Sequence, residues 1–259
     1  MKQASLILIA LISCISTSPA TIQAALTLDS SLETLSQLSN ANIWHSEIPL
    51  RLHLGCGENR FSGYVNIDYP PSEHTVQKTQ AADVYANLMT LSMPQNSVDE
   101  IRSHHVFEHF DRQNALALLC KWYNWLKVDG TLVIETPDFD ASIKMLTSST
   151  YSYEQKQSVL RHVFGSHEAY WAVHWDGWYR EKFKKILSTL GFENITFELT
   201  QWQLTRNIIV RATKKVNRDF QDVASKAKYI LRDSMVDTSS SEENMWRIWC
   251  QLFDNALNQ

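Results

Sequence analysis

The stretch from Leu50 to Asp68, LRLHLGCGENRFSGYVNID, constrains this chain more than any other. Leu50, Leu52 and Leu54 alternate with Arg51 and His53, the period-two pattern of a strand. Gly55 and Gly57 then interrupt it. Glycine at such a point permits positive φ and lets a backbone or a ligand come close. Val65, Asn66, Ile67 and Asp68 make a second short strand that ends in an acid. A strand, a glycine turn, a strand and an acid are the parts with which open α/β sheets hold a nucleoside. The turn faces the ligand, and the carboxylate accepts hydrogen bonds from the ribose hydroxyls. Taken alone, Gly-x-Gly is short enough to mark only a tight turn with a surface aspartate.

The spacing narrows the ligand. A dinucleotide site wants a third glycine opening a full helix, with the acid about 20 residues further on. Here Arg60 stands where that glycine belongs, Asp68 comes sooner, and little room for a helix separates Gly57 from Val65. Pyrophosphate binding at a helix N-terminus is therefore poorly supported. A ligand with a ribose and no phosphate fits better, and S-adenosylmethionine is one.

Four segments in order carry a resemblance: LHLGCGENRFSGYVNID, ADVYANLMTLSMPQNSVDEIRSHHVFEHF, LKVDGTLVIETPDF and ILSTLGFENI. Together they resemble the class I S-adenosylmethionine-dependent methyltransferases, in particular the bacterial type 11-like branch, over residues 50–213. No one segment is specific; their order is. The resemblance implies a Rossmann-like α/β sheet with flanking helices and S-adenosyl-L-methionine as cofactor. It places Gly55, Cys56 and Gly57 beside the cofactor, Asp68 on the ribose, Asn87 and Leu88 at the adenine, and Ser103 and His104 near the methionine portion. Two departures stand out: the third glycine is absent, and Asn87 replaces the family's acid. The acceptor is expected to be a small molecule or a glycan.

His105-Val106-Phe107-Glu108-His109 also matches His-x-x-Glu-His, an inverted zinc-protease motif. On a helix, His105 and His109 would lie one turn apart and share a metal, with Glu108 as base. The methyltransferases that the chain resembles carry a similar run without zinc, no third ligand is evident, and no metal is expected. A non-enzymatic binding module of the same fold is a further alternative. As an enzyme, the chain offers His105, after the fourth strand, and His174 as proton acceptors, since a histidine titrates near neutral pH. A structural, hydrogen-bonded histidine is the alternative at each position.

Charge and cysteine usage exclude other classes. The net charge of −4 gives no basic footprint for nucleic acid. The four cysteines, Cys14, Cys56, Cys120 and Cys250, form no Cys-x-x-Cys pair, so neither a disulfide framework nor a zinc site is suggested. Cys56 reads as a small residue filling a tight turn. Met1-Lys2 followed by ASLILIALISCIS and small residues is a secretory signal pattern, and LISC resembles a lipoprotein box. Because the methyl donor is made in the cytosol, a cytoplasmic protein is expected, with membrane association only through residues 1–25. Export or lipid anchoring through that segment is the alternative.

The expected organisation is a helical lead-in over 26–47, a methyltransferase domain over 48–214 and a helical tail over 215–259. A lid insertion about 140–180 interrupts the domain. Strands are predicted at Ala82 to Ala86, Asp99 to Ser103, Thr131 to Glu135, Thr196 to Leu199 and Asn207 to Ala212. Helices are predicted at Leu32 to Leu38, Arg112 to Leu126 and Glu181 to Leu190, with Asp129-Gly130 as a turn. Trp246, Trp249 and Phe253 form one side of a final helix and read as core packing. The lid segment FGSHEAYWAVHWDGWY is rich in His and Trp, suited equally to stacking on a sugar or ring and to packing the insertion down.

Overall fold

A computed structural model of the protein describes residues 34–259 and the backbone of 26–27. The signal-like segment 1–25 lies outside the described residues. Strand β1 is Leu26–Thr27, β2 Arg51–Leu54, β3 Val65–Asp68, β4 Val84–Tyr85 and β5 Val98–His104. Then come β6 (Leu126–Pro137), β7 (Phe192–Trp202) and β8 (Thr205–Lys214). They form one sheet in the order β1-β4-β3-β2-β5-β6-β8-β7. Pairing is parallel from β1 through β6, and β8 runs antiparallel to both β6 and β7. The Rossmann-like class I expectation is met, with β1 as an added two-residue edge strand in the segment read as a helical lead-in.

The strand order reverses between β2 and β5, which pair directly. In open α/β sheets the crevice at the carboxyl ends of such strands is where ligands bind. Leu52, His53 and Leu54 are all buried, so β2 is a central strand covered on both faces rather than a half-exposed one. His53 accordingly needs internal partners. Its ring stacks on Phe61 at 4.2 Å, and Nδ1–H donates to Asn66 Oδ1 at 3.1 Å.

Helix α1 is Thr34–Asn40, α2 Arg112–Trp125, α3 Phe139–Thr147, α4 Tyr153–Phe164, α5 Arg180–Leu190, α6 Phe220–Ile230 and α7 Ser240–Leu257. Caps fix their ends: Asp111 starts α2 by accepting from Asn114 N–H, and Ser152 with Gln155 forms a capping box on α4. Gly191 closes α5 at φ 105°, a left-handed conformation that glycine takes without strain. Helices α6 and α7 are part of the domain's packing, because Val223, Ala224, Ala227, Phe253 and Ala256 join the central core with α2. Trp246 and Trp249 are half-buried against that core; the Arg232 guanidinium lies 3.8 Å from the Trp246 ring.

Two local expectations change. Strand β6 begins directly after α2, because Val98 pairs with Leu126 and Glu100 with Thr131. Lys127 to Gly130 bulge between those registers, with Asp129 at φ 65°, so the expected turn is a bulge inside a longer strand. The His-x-x-Glu-His run is not an α-helix. His105 sits at φ 53° and Phe107–His109 form a short 3-10 turn, which removes the one-turn stacking of His105 on His109. Among the described residues no helix is long and apolar enough to cross a membrane.

Candidate active site

A cavity of about 320 Å³ opens at the carboxyl ends of β2, β3 and β5. That size falls in the range of small-ligand sites, roughly 300–1,000 Å³. Gly55, Gly57 and Glu58 form one side, Asp68, Tyr69 and His74 another, and Ala86 and Leu88 a third. His105, Val106, His109 and Phe110 follow β5, and Glu168 and Trp171 reach in from the insertion.

The two glycines differ in purpose. Gly57, at φ 54°, would carry a Cβ into open space, so its backbone stays accessible from the cavity. Gly55, at φ 69°, faces protein: a Cβ there would meet Val106 Cγ2 at 1.9 Å. Asp68 is pre-positioned by the same turn. Its Oδ2 accepts from Gly57 N–H at 2.6 Å and its Oδ1 from Tyr69 N–H at 2.7 Å, with His74 Nε2 3.6 Å away. Burial pushes the Asp68 carboxyl up, against the pull of Tyr69 N–H, His74 and Gly57 N–H. A partly desolvated carboxylate with free lone pairs is suited to receive hydroxyl donors.

Residues 52–134 match the family model described as a methyltransferase domain. Over that third of the chain it is similar to the methyltransferase-domain family. No curated protein sequence matches the chain. Among solved structures it is similar to a protein of Bordetella parapertussis described as a possible exported protein, with 17% identity and a TM-score of 0.42. That alignment covers 65% of this chain and 63% of the Bordetella chain, so this chain spans under two thirds of that protein's length. An S-adenosylmethionine-dependent methyltransferase of Archaeoglobus fulgidus is 16% identical at a TM-score of 0.45, covering 69% of this chain and 92% of that one. A phosphoethanolamine N-methyltransferase of Haemonchus contortus is 14% identical at a TM-score of 0.40, covering 82% of this chain and 45% of that one.

The cavity offers, by its own chemistry, what the parts of S-adenosylmethionine would require: an accessible glycine backbone, a carboxylate and apolar Ala86, Leu88 and Val106. Of the residues expected from the sequence, Gly55, Gly57, Asp68, Leu88 and His105 line it. Cys56, Asn87, Ser103 and His104 do not. Cys56 is buried in the turn, and burial with the charge of Asp68 pushes its thiol up to about 12. Asn87 turns its carbonyl onto Met89 N–H at 2.9 Å, a local cap. Ser103 is fully buried inside the sheet, and His104 Nε2–H donates to Glu135 at 3.0 Å.

A second cavity, of about 450 Å³, shares His105, His109, Glu168 and Trp171 with the first. Its further walls include Glu108, His162, His174 and Trp202. His105 is thus common to both. Its Nδ1–H donates to Glu108 Oε1 at 3.1 Å, and Nε2 lies 3.9 Å from Glu135 Oε1. Burial works against a charged His105, but the hydrogen bond and charge of Glu108 and the charge of Glu135 outweigh it and raise its pKa. Burial likewise pushes the Glu135 carboxyl up, yet His104, Thr200 and His105 outweigh it and hold it at about 2. Burial pulls His174 down to about 4 against the charge of Glu108, so that imidazole is neutral.

The sequence marked Tyr170 and Trp171 only as part of an aromatic lid segment, and it did not single out Glu58. Glu58 accepts from the backbone N–H groups of Lys78 and Thr79, pinning the loop before β4 over the site. Trp171 donates its indole N–H to the Glu73 carbonyl at 2.7 Å, and Tyr170 O–H donates to the Glu73 carboxylate. These bonds join the insertion to the segment after β3.

Proposed function

We propose that this protein is a methyltransferase that transfers a methyl group to a small-molecule or glycan acceptor, with the cofactor in the first cavity and the acceptor in the second. When bound, S-adenosylmethionine supplies an electrophilic methyl that the acceptor displaces directly from sulfur. Gly57 admits the cofactor's approach, Asp68 accepts from its ribose hydroxyls, and Leu88 packs near the adenine. Residues 140–180 act as the lid, held to the first cavity through Trp171 and Tyr170. Trp171, Trp202 and His162 give the acceptor side an aromatic wall suited to a sugar face or a ring.

His105 is the proton acceptor in this reading. One observation carries it: His105 stands on the wall shared by both cavities, with Nδ1 held by a buried carboxylate. That hydrogen bond fixes the tautomer and leaves Nε2 basic. Replacement by Gln, His105→Gln, is expected to lower turnover roughly 10²- to 10⁴-fold at saturating acceptor, the usual scale of acid–base assistance. Radiolabelled methyl donor offered with small-molecule and glycan fractions of cell extract identifies the acceptor class. Full turnover in the variant overturns the base assignment. Label that enters neither fraction, while donor binds, overturns the acceptor class.

A further inference from the structure

Glu108, His109 and His174 converge from the 3-10 turn after β5 and from the end of the insertion. Each offers one donor atom, and the three atoms lie within 4.8 Å of one another. Two of these side chains hold unpaired polar atoms. Glu108 is 2% exposed; its Oε1 accepts from His105, while its Oε2 is buried with no hydrogen-bond partner. His174 Nδ1 is also buried without a partner. His109 Nδ1 lies 3.2 Å from the Val173 carbonyl. A carbonyl only accepts, so that nitrogen carries the proton and Nε2 keeps its lone pair.

A buried carboxylate oxygen left unpaired bears its full desolvation penalty. A cation at the convergence would give this buried carboxylate a second charged partner beside His105. The supporting hydrogen bonds also fit. Metal-bound histidines hand their other N–H to a carbonyl or carboxylate, as His109 does, and metal-bound carboxylates are themselves hydrogen-bonded, as Glu108 is to His105.

We propose that Glu108, His109 and His174 bind one divalent transition-metal ion of the zinc or iron type. Two imidazoles and one carboxylate are a borderline-soft set that suits such ions better than Mg²⁺ or Ca²⁺. Three protein ligands leave further coordination positions, and these open on the second cavity, which all three residues line. An oxygen of the acceptor would occupy them; that last point rests on the methyl-transfer reading, whereas metal binding does not. The neighbouring group of His104, His105 and Glu135 is a weaker candidate. Its carboxylate is already paired with His104 at 3.0 Å and Thr200 at 3.0 Å.

The test is a metal titration of the untagged full chain after chelator treatment, with Zn²⁺ by competition and Co²⁺ by its ligand-field absorption, without methyl donor. One equivalent is expected to bind. Second-sphere changes already cost about 10–100-fold in metal affinity, so loss of a ligand in His174→Ala or His109→Ala should cost at least about 100-fold. These two variants avoid emptying the buried carboxylate position, and circular dichroism checks their fold. His104→Ala should bind metal as the parent does. Absence of a one-equivalent site, its survival in both ligand variants, or its loss in His104→Ala overturns the proposal. Methyl-donor affinity, measured separately, reports on the functional reading alone.

Discussion

Alanine at Gly55 tests how the cofactor turn is built. Two costs are predicted for Gly55→Ala. The residue sits at φ 69°, where a side chain costs about 1–2 kcal/mol. Its Cβ would also lie 1.9 Å from Val106 Cγ2, with Val106 Cβ and Cγ1 at 3.0 and 3.1 Å. The nearest atom is a methyl group on a β-branched side chain, which has little rotamer freedom with which to yield. Overpacking of this kind costs about 1–3 kcal/mol, so the sum is roughly 2–5 kcal/mol. At about 2–4 °C per kcal/mol for a domain of this size, Tm should fall by roughly 4–20 °C. Gly57→Ala is the internal control, because it shares the positive φ but meets nothing within 4 Å. It should lose only the backbone cost, roughly 2–8 °C. Thermal unfolding of Gly55→Ala, Val106→Ala and the double variant completes a cycle. Removing the clash should make the double variant more stable than additivity predicts by about 1–3 kcal/mol. Equal losses at the two glycines together with additive behaviour would refute the reasoning.

His53 predicts a pH dependence of stability. Burial lowers its pKa from 6.5 to about 4, only partly offset by the Asn66 hydrogen bond, so the unfolded state binds the proton first as pH falls. No stability is lost above pH 6.5, and loss accumulates towards pH 4, reaching about 3 kcal/mol. Chemical denaturation across that window should give a slope smaller by up to one proton in His53→Leu than in the parent; identical slopes would contradict it. Asn87→Asp should keep the fold and the methyl-donor affinity by calorimetry, because either side chain caps Met89 N–H, and a large loss would mean that Asn87 contacts the cofactor through its amide hydrogens.

The sequence-level reading succeeded where chemistry follows local spacing. Leu50 to Asp68 alone places a strand, a glycine turn and an acid, and the cavity forms around that unit. It failed where the deciding contact comes from a distant segment. Gly55 read as a close approach of backbone or ligand; it lines the cavity, and the close neighbour itself is the Val106 side chain from a distant segment. His53 alternates with the leucines, the pattern of a half-buried strand, yet it is fully buried because β2 is covered on both faces. The zinc-protease alternative needed the His-x-x-Glu-His run on one helical face, and the positive φ of His105 breaks that face. Glu108 and His109 are left to meet His174 from the insertion, a convergence that no periodicity encodes. Ser103 and His104 followed a family layout; the turn at His105 instead brings the next residue to the cavity.

The central claim is that Asp68, set by the glycine turn, holds the methyl donor. Calorimetric titration of S-adenosylmethionine into the full chain and into Asp68→Ala measures it directly. Loss of hydrogen bonds to a charged acceptor should weaken binding by about 1.5–3 kcal/mol, roughly 10- to 150-fold, with the fold retained by circular dichroism. Equal affinity in the folded variant, or no binding by the parent chain, would contradict the account.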